Sequence, residues 1–324
     1  MLKMKSIIIL IVVFSILFGG IVFANDNYPS RAITIIVAAS VGGGTDIYIR
    51  QISKSLSDIL GVPVVVKNLP GAAGILGMAV AEAAEPDGYT LAAWNPPSET
   101  LAQIAQKPGF DLRDMTPLVM YARGTDVIVT NIDSPYDTDT LPELIDAYKS
   151  GKISLFATCY EGTIHHVMMV LFGELNDINF DFLTYSGSGA VMAALMGKEA
   201  PAGNITDASA IGPVTDGNLK ALAVMGSEGS EIFPDLPSIT DLGYANIDSA
   251  AYFYRVIVGP PGLPEDIQKK LEKALLQVIN SEEIKEWAAE TGNTFFPGSA
   301  EEAKKVIDES FKIEDLIDIK AMYE

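Results

Sequence analysis

Residues 33–46 read Ile33-Thr34-Ile35-Ile36-Val37-Ala38-Ala39-Ser40-Val41-Gly42-Gly43-Gly44-Thr45-Asp46. The run Ile33 to Ala38 is short, mostly apolar and β-branched, the pattern of a buried parallel strand. Beyond the glycines, Ile49, Ile52, Leu56 and Ile59 recur at three- and four-residue spacing, which predicts a helix that Gly61 stops. Another strand, Val62 to Lys67, follows. The unit is therefore strand, glycine turn, helix, strand. Such a turn presents bare backbone N–H groups at a helix N-terminus, where the first-turn donors have no intrahelical partner and the helix dipole adds partial positive charge. Glycine lets a ligand approach that main chain closely. The result is either an anion cradle that needs no lysine or a merely tight strand-to-helix connection. Thr45 or Asp46 would cap the helix. The turn is not a Walker A loop, since no lysine follows Gly44, and not GxGxxG, since Asp46-Ile47 stand where a third spaced glycine belongs.

Working outward, the same alternation repeats. A Gly71–Gly77 loop opens a helix through Ala84, and Tyr89–Ala93 is the next strand. Val127–Thr130 is a further buried strand. A second series then runs through a helix at Leu141–Tyr148, a strand at Ile153–Ala157 and a helix at His165–Phe172. Phe182–Tyr185 (strand), Ala190–Met196 (helix) and Leu219–Val224 (strand) complete it. Tyr252–Val258 leads into Gly259-Pro260-Pro261-Gly262, and two acid- and lysine-rich helices, near Pro264–Ile279 and Ser299–Ser310, finish the chain. This is α/β architecture with largely parallel sheets. Chain crossings near 127 and 250 divide it into two lobes, one from 25–126 plus 250–324 and one from 127–249.

The chain has 324 residues, 48% of them apolar, enough for a sizeable core. Its 22 basic and 42 acidic residues give a net charge of -20, and no basic run is present, which sets nucleic-acid binding aside. One cysteine, Cys159, excludes a disulfide framework and a Cys-rich zinc site. Residues 1–24 carry Lys3 and Lys5, an apolar stretch and a small-residue end at Val22-Phe23-Ala24, the pattern of a cleavable export signal rather than an uncleaved membrane helix. No cysteine follows it, so no lipid anchor is expected. The mature chain should be soluble and periplasmic or otherwise extracytoplasmic.

Tyr28-Pro29-Ser30-Arg31 with residues 33–46 resembles the opening of Bug-type extracytoplasmic solute-binding receptors of tripartite tricarboxylate transporters. Further matches fall in order: Gly61 to Asn68, Pro70-Gly71-Ala72-Ala73-Gly74, Pro86 to Leu91, Tyr185-Ser186-Gly187-Ser188, Leu222-Ala223-Val224, Phe233 to Pro237 and Gly259 to Pro264. The likeness covers nearly the whole mature chain. It implies a two-lobed type II periplasmic-binding-protein fold closing on a small carboxylate, a monomer without cofactor or metal, and membrane transporter subunits as partners. It also implies a ligand carboxylate gripped by Ala39, Ser40, Gly43, Gly44 and Thr45, with Asp46 ordering the turn. The second lobe would contribute the Thr158–His165 loop, including Thr158, Cys159, Thr163 and His165, and the Tyr185–Gly189 loop, including Tyr185, Gly187 and Ser188. The family usually has prolines and an aromatic where this chain has Ala38, Ala39 and Val41, so Ser40 adds a hydroxyl and the ligand's identity is open. The stretch before Asp207, Ala200 to Asn204, is also altered.

Other residues carry two readings each. Cys159, His165 and His166 lie close in sequence and invite nucleophilic or metal chemistry. Adjacent histidines point about 100° apart on a helix, however, and no orienting acid is visible. His165 is expected instead to donate a hydrogen bond into the cleft, as the matching family histidine does. Trp94 follows a strand end, as a core residue or as a site wall with Asn95 or Ser98 as polar contacts. Strand alternation puts Tyr252 and Tyr254 on one face and Phe253 with Arg255 on the other. Tyr252 counts among the ligand contacts. Arg255, in an otherwise apolar strand, either takes a carboxylate bidentately or braces the hinge against an Asp, the second being preferred. Asp207 either selects a ligand amino or hydroxyl group or caps a helix. The expected product is a non-enzymatic receptor. The alternatives are an exported hydrolase or lyase using Cys159 or His165, and a sensor subunit that hands the solute to a signalling kinase.

Overall fold

A computed structural model describes residues 28–39, 41–42, 44–132, 138–291 and 293–315, except the side chain at 249. The export signal expected at residues 1–24, together with Ser40 and Gly43, lies outside the described residues. Strand β1 (Ile33–Val37) is flanked by β2 (Val64–Asn68) and β3 (Thr90–Trp94), both parallel to it. Ile33, Ile35 and Val37 are fully buried on one face and Ile36 nearly so on the other, as a central strand covered on both faces requires. Helix α1 (Gly44–Leu60) buries Tyr48, Ile49, Ile52 and Leu56, one stripe at helical spacing, and this stripe packs on the sheet. α2 (Ile75–Glu82) and α3 (Ser98–Gln106) follow β2 and β3.

β4 (Thr116–Asn131) is far longer than Val127–Thr130, the run expected from sequence. Its first part holds another apolar run, Leu118–Ala122, which Arg123 to Asp126 separate from the second. That first part is held antiparallel to β9 (Tyr252–Gly259) from Thr116 to Thr125. From Asp126 onward β4 leaves β9 and pairs antiparallel with β7 (Ala202–Thr206) and β8 (Leu219–Val224). β5 (Leu155–Cys159) pairs parallel with β6 (Asp181–Tyr185) and with β7. The strand order is β2-β1-β3-β9-β4-β7-β5-β6, with β8 on β4. The expectation of largely parallel sheets thus needs correction. Parallel pairs occupy both outer parts, but every pairing of β4 and β9 is antiparallel, because these two strands carry the chain across and back.

The outer part around β5 is packed by α4 (Leu141–Lys149), α5 (Ile164–Leu175), α6 (Ser188–Met196), α7 (Asp207–Thr215) and the short α8 (Asp248–Ala251). After β9 the chain returns to the β1 side with α9 (Glu265–Ile279), α10 (Glu282–Thr291) and α11 (Ala300–Phe311), three helices where two are expected from sequence. α11 begins in a capping box, with Ser299 accepting the Glu302 N–H and the Glu302 side chain accepting the Ser299 N–H. Among the described residues no helix is long and apolar enough to cross a membrane.

Candidate functional site

The turn between β1 and α1 is organised from below by Asp46. This buried carboxylate accepts the Gly42 N–H at 2.8 Å, the Asn68 side-chain amide at 2.9 Å and the Arg50 guanidinium at 2.9 Å. Its hydrogen bond from Arg50, reinforced by the Gly42 N–H, outweighs burial and holds its pKa down to about 2. Gly42 has φ +79°, a conformation glycine adopts freely. Asn68 also donates to the Ala39 carbonyl at 3.1 Å. Asp46 therefore orders the turn, whereas Thr45 reaches sideways and donates its hydroxyl to Asn95 Oδ1 at 2.9 Å. Asn95 in turn donates its backbone N–H and its amide to the buried Glu99 carboxyl. Desolvation pushes the Glu99 pKa up to about 8 against those hydrogen bonds.

Arg255, on β9, reaches this helix start. A Cβ placed on Gly44 would lie 3.2 Å from Arg255 Nη2. The guanidinium also stands over the rings of Tyr48 (5.1 Å) and Phe253 (5.6 Å). Among the described residues no acid brackets it, so the expectation that Arg255 braces the hinge against an Asp is not met. A guanidinium with no acid among the described residues thus sits, partly exposed, beside the positive end of α1.

Phe253 links this cluster to a second one. Its ring meets that of His165 edge-on at 5.7 Å. His165 stands in the first turn of α5, and its Nδ1 lies 3.0 and 2.9 Å from the two oxygens of Asp126. Burial disfavours the imidazolium and Arg255 opposes it, but the Asp126 carboxylate outweighs both and raises the His165 pKa. Asn204 donates to Asp126 Oδ2 at 2.5 Å and to the His165 carbonyl at 3.0 Å. Among the described residues, its own Oδ1 and the Thr158 Oγ1 are buried without partners. Asp126 is the orienting acid that sequence reasoning missed. It stands in Gly124-Thr125-Asp126-Val127-Ile128-Val129, and a lone charge in a run that must be buried was the available signal.

Several expected contacts are otherwise engaged. Trp94 is completely buried among Ala92, Ala102, Met120 and Val256, a core residue and not a wall. Tyr252 is buried on the opposite face of β9 from Arg255. Its ring fills the space beside Gly226 and its hydroxyl accepts the Glu228 N–H at 2.7 Å. Thr163 is the N-cap of α5, accepting from the His166 N–H and donating to the Tyr160 carbonyl, so both functions of its hydroxyl are used. The Tyr185 hydroxyl donates to Glu199 at 2.9 Å. His166 is buried, and desolvation lowers its pKa. Asp207 is not the cap of α7, a role taken by Thr206. It accepts from the Ser230 hydroxyl and the Ala208 N–H, while burial raises its pKa to about 6. Cys159 is buried, and desolvation followed by the Asp126 charge pushes its thiol up to about 12. Gly187 caps α6 with open space where a Cβ would stand, and Ser188 Oγ accepts the Thr206 N–H. Among the described residues no group of three His, Cys, Asp or Glu is placed to hold a metal ion.

The family model for tripartite tricarboxylate transporter family receptors matches residues 48–322. Protein BugT of Bordetella pertussis is 30% identical over 274 residues, covering 83% of this chain and 82% of that protein. A TctC solute-binding protein from Polaromonas superposes with a TM-score of 0.78 at 21% identity, over 91% of this chain and 99% of that one. MatC from Rhodopseudomonas palustris with bound malate gives 0.71 at 22% identity, over 90% of this chain and 100% of that one. At those identities the two structures speak for the periplasmic-binding-protein fold alone.

Proposed function

Because this chain belongs to the tripartite tricarboxylate transporter receptor family, we propose that it captures a small carboxylate outside the cytoplasm and presents it to the membrane subunits of such a transporter. The observation that carries this reading is the Arg255 guanidinium, without an acid partner, against Gly44 at the start of α1. A carboxylate there would gain both a two-pronged hydrogen bond and the field of the helix start. Residues 25–126 plus 250–324 form one lobe and 127–249 the other, with β4 and β9 as the straps between them. The turn residues Ala39, Ser40, Gly43, Gly44 and Thr45 hold the ligand from the first lobe. His165, with Thr158, Gly187 and Ser188 nearby, faces it from the second, and Asn95 positions Thr45. Closure then depends on the ligand making contacts in the closed form that the open form lacks.

Turnover chemistry is not supported. The Cys159 thiol is buried and remains protonated at neutral pH. Asp126 orients the His165 ring as it would a general base, but the Cys159 side chain is engaged with Ser188 and not with that ring. The test is a thermal-shift and calorimetric screen of organic acids on the purified protein. A ligand that raises the melting temperature and binds with a one-to-one stoichiometry supports the receptor reading. Absence of binding across mono-, di- and tricarboxylates overturns it.

A further inference from the structure

Resting on that reading of the site, we infer that the ligand is a monocarboxylate whose other polar groups are uncharged, and that Arg255 selects it. The chain has five arginines. Arg31 pairs with Asp87 at 2.8 Å, Arg50 with Asp46 at 2.9 Å, Arg113 with Asp111 at 2.6 Å, and Arg123 with Glu228. Arg255 alone stands without an acid or a hydrogen bond among the described residues, held between the Tyr48 and Phe253 rings. Ring faces attract a guanidinium but accept none of its five N–H donors strongly. Those donors match one planar carboxylate.

Asp126 pairs with His165 and Asp46 with Arg50. Arg255 is therefore the one guanidinium at the site with no acid among the described residues, in a chain of net charge -20. A second carboxylate would leave water with no second guanidinium to meet it, against the Tyr48 and Phe253 rings and close to the Asp126 carboxylate, and would lose affinity on desolvation. Among the described residues, Asn204, which donates to the His165 carbonyl, has a buried Oδ1 without a partner, and so does Thr158 at Oγ1. An acceptor such as Asn204 Oδ1 suits a hydroxyl or amide donor, and repels a carboxylate.

Calorimetry with matched probes tests this: 3-hydroxybutyrate against malate, butyrate against succinate, and each monoacid against its amide. The expected result is that at least one monoacid binds about tenfold or more tighter than its diacid counterpart and than its amide. Arg255→Gln should weaken that monoacid roughly 10- to 100-fold while leaving the amide unchanged, and Arg255→Lys should fall between. A diacid that binds as tightly as its monoacid, or an Arg255→Gln protein with full monoacid affinity, overturns the inference and leaves the receptor reading standing. If no acid of any charge binds the wild-type protein, the receptor reading itself fails. Should Arg255→Gln not fold, the wild-type ratio of monoacid to diacid decides alone.

Discussion

Arg255 Nη2 occupies the space that a side chain on Gly44 would enter, 3.2 Å from the position of its missing Cβ. Two residues more than two hundred positions apart thereby define one surface, a backbone made bare by glycine and a cation made available by the absence of an acid. Gly44→Ala should be tolerated in the fold, since the atom it meets is the far end of a flexible side chain. Gly44→Leu should fill the space, displace the guanidinium and cut ligand affinity about tenfold or more with little change in melting temperature. Calorimetry and thermal denaturation of both variants check this.

His165 and Asp126 form a stability term with a definite pH sign. Asp126 raises the folded-state pKa of His165 above the ordinary value of 6.5. The contribution is therefore complete below pH 6.5 and is lost as pH rises through the folded value. The melting-temperature deficit of His165→Gln should be larger at pH 5.5 than at pH 8.5. An equal deficit at both would mean that the ring acts only through packing on Phe253.

Glu99 behaves in the opposite sense to an ion-paired acid. Burial lifts its pKa from 4.5 to about 8, so the folded state holds a proton that the unfolded state has released. Stability should fall as pH rises between those two values. Glu99→Gln keeps an acceptor for Asn95 and should flatten that part of the melting-temperature profile, measured from pH 5 to pH 9.

Asp46 shows the usual carboxylate behaviour. Its pKa is lowered from 3.8 to about 2, so its contribution is present above 3.8 and lost as pH falls toward 2. Asp46→Ala leaves the Gly42 N–H and the Asn68 amide without their acceptor. It should destabilise by about 1–3 kcal/mol at neutral pH and loosen the turn enough to weaken ligand binding, as denaturant melts and calorimetry will show.

Cys159 should resist alkylation in the folded protein at pH 8, with a thiol near pKa 12, and react within minutes once unfolded in urea. Cys159→Ala should keep ligand affinity within about twofold of wild type, a difference below roughly 0.4 kcal/mol. Rapid native labelling, or a lost activity in that variant, would revive the nucleophile reading.

The elements whose signal is local were legible in the sequence. Ile33–Val37 had the composition of a doubly covered strand, Ile49, Ile52 and Leu56 had helical spacing, and a late helix was expected from Ser299. β4 was expected only in its second part: its first apolar run, Leu118–Ala122, was legible too, but Arg123 to Asp126 hide that the two runs are one strand held by β9. Of the proposed site, the sequence pointed to the glycine turn and to His165, but not to Asp126 or Asn204.

What the amino-acid order determined by itself is therefore the βα unit, its glycine turn and the acidic surface, each set by neighbours a few residues apart. The tertiary structure alone decided which charges meet. Asp126 took His165, and Arg255 was left facing Gly44. Electrostatic energy depends on distance through space, and strand crossings at β4 and β9 set those distances across separations that no sequence window spans.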